Sequence, residues 1–256
     1  MDTCTRILWL PKQNCSDAEY QDAFATNALD DEGYCLDPVQ LFAVADGASE
    51  AIFSGHWAKL LVNSWVNTHN EVFSLSDGCI KRLAETWQAN LPVENLPWWA
   101  EEKIRAGSFS TFAGLRLSTT EEHGCRWEFT AVGDSCLFIF RDATCHYVSP
   151  LTKSVEFNSS PYLIASEPQF NTELNEHIIT DSGEVLEGDE FILATDALAY
   201  WILSKLERDA PQNEIFRFLE VGDNKGEFSR CIAAARLNGE MRNDDVTFLS
   251  VYVLKT

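Results

Sequence analysis

The sequence predicts an α+β fold in which mostly antiparallel sheets carry helices on their outer faces. Three observations predict it. Short apolar runs with period-2 alternation recur along the chain. Segments with helical spacing come in groups and are not interleaved one by one with the strands. The resulting order is hairpin, helices, several strands, strand, helices, strand, which lacks the regular alternation of a doubly wound parallel sheet.

The elements follow in order. Residues 20–47 read as a β-hairpin: "YQDAFATN" and "YCLDPVQLFAVAD" flank "ALDDEG", whose Asp and Gly residues suit a turn. The acidic spacing of that turn does not fit an EF-hand loop. "SGHWAKLLVNSWVNTHNEVF" places Ala58, Leu61, Val62, Trp65, Val66 and His69 on one helical face, with Ser54 as the expected N-cap. "CIKRLAETWQANL" repeats the pattern through Ile80, Leu83, Ala84, Trp87 and Leu91. "LPWWAEEKIRAG" predicts a third helix, with Pro97 near its start and Gly107 just past its end. "GSFSTFAGLRLST" and "CRWEFTAVGDSCLFIFRDATCHYVS" alternate with period 2, and "EHIITDSG" follows. "DEFILATDALAYWIL" switches from strand to helix just after Asp196. "EIFRFLEV" and "EFSRCIAAARLNGE" predict two more helices, and "DVTFLSVYVLK" a final strand.

The chain has 256 residues, 45% of them hydrophobic, which suits one domain over residues 1–256 with a sizeable core. Its 19 basic and 40 acidic residues give a net charge of −21. That balance argues against nucleic acid and anionic membrane surfaces as partners, since both call for basic patches. The tryptophans are expected in the core and not on a base-stacking platform. "RILWLP" is too short for a signal sequence or a membrane span. The eight cysteines form no C-x-x-C pair, so reduced thiols and a cytoplasmic protein are expected. His123 with Cys125, and Cys145 with His146, match no usual zinc spacing.

Most informative are the carboxylates at the ends of apolar strands. "LFAVADGAS" runs into Asp46 and Gly47, "FTAVGDS" into Asp134 and "FILATDA" into Asp196; Asp244 precedes "DVTF", and Asp22 follows "EYQ". A single Asp at a strand end is an ordinary turn or helix-cap residue. Several together, if the sheets bring those ends to one place, cannot all ionise unaided. A divalent cation resolves the conflict, and an all-oxygen ligand set favours Mg²⁺ or Mn²⁺ over zinc. Gly47, without a Cβ, lets its backbone carbonyl come close to such an ion.

These residues carry a resemblance. In order, "YQDAF", "FAVADGAS", "GSFSTFAGL", "AVGDSCLF", "GDEFILATDALAYWIL" and "RNDDVTFLSVYV" resemble the blocks of the metal-dependent Ser/Thr protein phosphatases of the type 2C family, in a compact bacterial form. The resemblance implies a four-layer α-β-β-α sandwich with two metals, Mn²⁺ or Mg²⁺, at one end. It implies that Asp46 bridges both metals, that the Gly47 carbonyl binds one, and that Asp196 and Asp244 bind the other. Asp22 then acts from the outer shell through a water, and Asp134 joins Asp196 at a weaker third position. The implied activity is hydrolysis of phosphoserine and phosphothreonine in a phosphorylated protein substrate, with Asp46 and Asp22 as the catalytic carboxylates. No nucleophilic side chain is called for, and the chain has no G-x-S-x-G or Walker A motif. Ser135, next to Asp134, is accordingly read as a strand-end hydroxyl.

The sequence departs from the family's pattern at several places. Larger members carry a histidine where Ala48 stands, Glu at Gln21, a phosphate-binding arginine at Asp17, Arg at Cys136 and Gly at Ala197. Lys12, Arg6 and His56 are the candidates to replace the missing acid or anchor. The departures open a second reading, a pseudophosphatase acting as a binding or scaffold module. A third keeps the metals and takes a small phosphorylated metabolite. The oligomeric state is not encoded in any feature of the sequence.

Overall fold

The structure, a computed structural model, describes residues 1–28, 34–35, 38–68, 75, 77–91, 98–120, 124–158, 160–208, 215 and 224–254. Two antiparallel sheets lie face to face. The six-stranded sheet has the order β3-β1-β13-β12-β8-β9 and the five-stranded sheet the order β11-β7-β6-β4-β2. The strands of the first are β1 (Thr3–Leu10), β3 (Tyr34–Cys35), β8 (Cys136–Arg141), β9 (Thr144–Ser149), β12 (Glu190–Ala194) and β13 (Val246–Val253). Those of the second are β2 (Ala23–Thr26), β4 (Val39–Ala45), β6 (Phe112–Thr120), β7 (Gly124–Val132) and β11 (Ile179–Glu184). A short pair, β5 (Phe109–Ser110) with β10 (Ile164–Ala165), lies beside them. The helices are α1 (Ser54–Val66), α2 (Asp77–Ala89), α3 (Trp98–Ala106), the short α4 (Leu174–His177), α5 (Asp196–Glu207) and α6 (Lys225–Leu237).

Side-chain alternation builds the layers. Phe42 and Val44 of β4 point between the sheets with Leu137, Leu193 and Leu249 of the facing sheet. Their neighbours Leu41, Ala43 and Ala45 point outward against Trp57, Leu61 and Trp65 of α1. On the other sheet, Phe138, Ile192 and Phe248 meet Leu198, Trp201 and Ile202 of α5 and Phe228 and Ile232 of α6. Both faces of each sheet are thus buried, which is why the strands read as almost continuous apolar runs. The result is the expected α-β-β-α sandwich.

Four local expectations need correction. β1 forms from the N-terminal segment that was weighed only as a leader or span, and it pairs with β13 along its whole length. "YCLDPVQLFAVAD" is not one strand: Tyr34–Cys35 pairs with β1 in the six-stranded sheet, while Val39–Ala45 pairs with β2 and β6 in the other. The strand expected from "GSFSTFAGLRLST" breaks at Thr111, because β5 turns aside to pair with β10. Ser54 is not the N-cap of α1 but its first residue; the cap is Phe53, in the left-handed region at φ 56°, whose carbonyl accepts from His56 and Trp57. The hairpin turn at 29–33 and His123 lie outside the described residues, as does "EIFRFLEV" apart from Ile215. Cys4, Cys15, Cys79, Cys125, Cys136, Cys145 and Cys231 are free thiols, as expected.

Candidate metal centre

The strand register brings the carboxylates to one end of the sandwich. Ala23 pairs with Ala45, so Asp22 and Asp46 flank the same rung of β2 and β4. Ala194 pairs with Cys136 on one side and Phe248 on the other. Asp196 therefore leaves β12 beside Asp134 in the β7–β8 turn and Asp244 before β13. Burial raises the Asp46 carboxyl, and the charges of Asp22, Asp196, Asp134 and Asp244 raise it further. All five residues singled out from sequence are brought together.

Asp22 is 1% exposed. Its Oδ2 accepts from Thr195 Oγ1 at 2.8 Å and Thr247 Oγ1 at 2.7 Å. Thr247 Oγ1 also lies 2.5 Å from the Tyr20 hydroxyl. Thr195 Oγ1 in turn accepts from the Thr247 amide at 3.0 Å, which locks β12 to β13 at this point. The other oxygen, Asp22 Oδ1, is buried with no hydrogen-bond partner, and so is Asp134 Oδ1. Unpaired buried acceptors are costly and rare, so each needs an account.

Asp46 is held by its backbone. Its amide donates to Thr111 Oγ1 at 2.9 Å, and its carbonyl accepts from the Thr111 amide at 2.9 Å and Ser110 Oγ at 2.8 Å. The break between β5 and β6 serves this clamp. Thr111 Oγ1 also lies 2.7 Å from Ser135 Oγ, so Ser135 is a buried strand-end hydroxyl, as read from sequence. Gly47 has a packing reason to lack a Cβ: that atom would stand 2.7 Å from the Gln21 carbonyl oxygen and 2.7 Å from the Ser54 backbone.

Burial and like charge push these acids up. Burial raises Asp22 to about 8, with the charges of Asp245 and Asp196 adding to it against the two threonine hydrogen bonds. Asp196 rises to about 7 from burial and the charges of Asp134 and Asp244. Asp134 rises to about 6, mainly from burial. Such shifts mark a place where negative charge is concentrated without its counter-charge.

One of the proposed substitutes lies at the cluster, and other participants escaped the sequence. Lys12, at the exit of β1, sets its Nζ 2.9 Å from Asp244 Oδ1 and donates to Ser49 Oγ. Arg242 lowers both Asp134 and Asp196 by its charge. Asp245 is structural: its Oδ1 accepts from the Lys12 amide and its Oδ2 from the Gln21 amide, both at 2.8 Å. Of the other proposed substitutes, Arg6 pairs with Glu190 at 3.0 Å and His56 feels Lys59, not the acids. Asp17 is exposed on a 3₁₀ turn. Cys136 is buried, its thiol pushed up by that burial.

Among the described residues, no three His, Cys, Asp or Glu side chains already converge as ligands of one ion. The donor chemistry nonetheless fits a hard divalent cation: the donors are carboxylate oxygens, two of them buried and unpaired.

No protein-family model and no curated protein matches the chain. Solved structures do match. The catalytic domain of the serine/threonine protein phosphatase PstP, in complex with 2 manganese ions, is similar at TM-score 0.58 and 14% identity over 99% of this chain and 100% of that one. The S. agalactiae serine/threonine phosphatase gives 0.55 and 17% over 98% and 99%. RsbX in complex with magnesium gives 0.52 and 17% over 98% and 94%. Over nearly its whole length, the chain therefore has the fold of the metal-dependent type 2C phosphatases.

Proposed function

We propose that the protein is a metal-dependent protein phosphatase that hydrolyses phosphoserine and phosphothreonine, acting as one domain. The observation that supports this reading is that the strand register brings five strand-end carboxylates to one end of the sandwich, where two of their own oxygens, Asp22 Oδ1 and Asp134 Oδ1, are buried and unpaired. Asp46, the Gly47 carbonyl, Asp196 and Asp244 would hold two Mn²⁺ or Mg²⁺ ions, with Asp134 at a third, weaker position. Bound there, such cations would supply Lewis acidity toward a water and positive charge toward the phosphoryl oxygens.

The chain's own residues do the rest. Thr195 and Thr247 fix Asp22 through Oδ2 and leave Oδ1 to orient the attacking water and accept its proton. Burial raises this acid in the metal-free protein, and cations bound beside it would lower it again, leaving a carboxylate able to accept that proton. The Asp46 backbone is clamped on both sides, so its carboxylate is presented without rearrangement of β4. Lys12 and Arg242 bring positive charge to the rim, where the missing phosphate-binding arginine leaves a gap. A cytoplasmic setting, read from the cysteine pattern, belongs to the same proposal.

The test is phosphate release from a phosphothreonine peptide with Mn²⁺ by the wild type, Asp46→Asn and Asp196→Asn. Turnover by the wild type and loss in both variants, with circular dichroism unchanged, is expected. Wild-type turnover in either variant would overturn the assignment.

A further inference from the structure

A cleft of about 320 Å³ opens directly off the carboxylate cluster. One wall is Gly133 and Asp134 of the β7–β8 turn; another is Glu156; a third is Tyr162, Glu176 and His177. Three features define what it would take. It presents three carboxylates, Asp134, Glu156 and Glu176, and no lysine or arginine among the described residues lines it. The Tyr162 and His177 rings stack with centroids 3.9 Å apart and planes within 13°, so the cleft has an aromatic pair along one side. Asp134, 4% exposed, adds its negative charge where the cleft meets the carboxylate cluster.

The Glu156 carboxylate is held in place. Its Oε2 accepts from the amides of Thr152 at 2.7 Å and Lys153 at 2.8 Å, hydrogen bonds that also keep its acid below the usual range. The volume sits near the lower end of ligand pockets, about 300–1,000 Å³, and suits one long side chain. A flat, delocalised cation that stacks on rings and meets carboxylates through paired N–H groups matches all three features, and that is a guanidinium.

We propose that this cleft binds an arginine side chain of the substrate close to the phosphorylated residue. The substrate class is then a phosphopeptide segment with a neighbouring arginine. The inference rests on the phosphatase reading for the identity of the peptide, but its binding test does not depend on turnover.

The experiment uses the full chain and fluorescent phosphothreonine peptides in which arginine, or its neutral isostere citrulline, is placed in turn at each flanking position. Binding is followed by anisotropy at physiological salt, with Mn²⁺ and with EDTA. At one or two positions the arginine peptide should bind about tenfold more tightly than the citrulline peptide. Because Glu156 also holds its own turn, Glu176→Gln is the primary variant. It should reduce the preference about three- to fivefold, as loss of one partly exposed charge pair would. Glu227→Gln, an exposed acid of α6 that does not line the cleft, should keep the full preference. Equal binding of the two peptides at every position would overturn the proposal. So would equal losses in Glu176→Gln and Glu227→Gln, which would trace the preference to bulk charge. Phosphate release measured on the same peptides separates the two ideas. Arginine preference without release sinks the phosphatase reading alone; release without preference sinks the cleft alone.

Discussion

Asp22, Asp134 and Asp196 are each more acidic in an unfolded chain than in the folded one, because burial and neighbouring carboxylates oppose their ionisation. A raised folded pKa on a carboxyl means that the native state binds more protons than the unfolded state. Stability is full below the ordinary value of 3.8 and is lost as pH rises from there through the folded values, here about 6, 7 and 8. The melting temperature of the metal-free protein should therefore fall from about pH 4 to about pH 8, by several degrees if each kcal/mol is worth about 2–4 °C. Calorimetry in EDTA checks this; a melting temperature that rises over that window would contradict the charge cluster. Asp46→Asn removes one of the repelling charges. It should raise the metal-free melting temperature and, at the same time, abolish the rise that Mn²⁺ gives the wild type. A residue kept at a cost to stability is the mark of a working site.

At the scale of elements, two adjacent acids before β13 do different things. Asp245 joins the exits of β1 and the segment leading to β2 through two amide hydrogen bonds. Asp245→Ala would strand both amides and should cost about 1–3 kcal/mol of stability whether or not metal is present. Asp244 makes a partly exposed pair with Lys12, a kind of pair worth about 0–1 kcal/mol. Asp244→Ala should leave the metal-free melting temperature nearly unchanged and weaken Mn²⁺ binding in titration calorimetry; the reverse pattern would exchange their roles. The resemblance picked out Asp244, but the structural part of Asp245 was not legible, because it depends on a register formed with residues more than 200 positions away. Local patterns made Asp46, Asp134 and Asp196 legible, since each ends an apolar run that alternates between two buried faces. β1 was hidden for the opposite reason: Thr3 and Thr5 occupy inward positions, so the period-2 apolar signal is missing. Thr3 satisfies its hydroxyl on Gln40 at 2.6 Å, a pairing no local window reveals. Thr195, Thr247 and Arg242 stayed unseen because ordinary polar residues become site residues only when β12 and β13 lie side by side.

For the whole molecule, the sandwich is a device for bringing distant strand ends together. Asp22, Asp46, Asp134, Asp196 and Asp244 come from both sheets, so the cluster exists only in the folded chain. Any cation bound there stabilises the native state by mass action. The net charge of −21 adds a general negative field, and the cluster at the end of the sandwich concentrates it where a cation can be used. The central claim is that these carboxylates hold cations that hydrolyse a phosphoester. It is tested most directly by following phosphate release from a phosphothreonine peptide as Mn²⁺ is titrated in and then removed with EDTA. Release should rise to saturation with Mn²⁺, disappear with the chelator and return when the metal is restored. Release unaffected by EDTA, or none at any Mn²⁺ concentration from a folded sample, would contradict it.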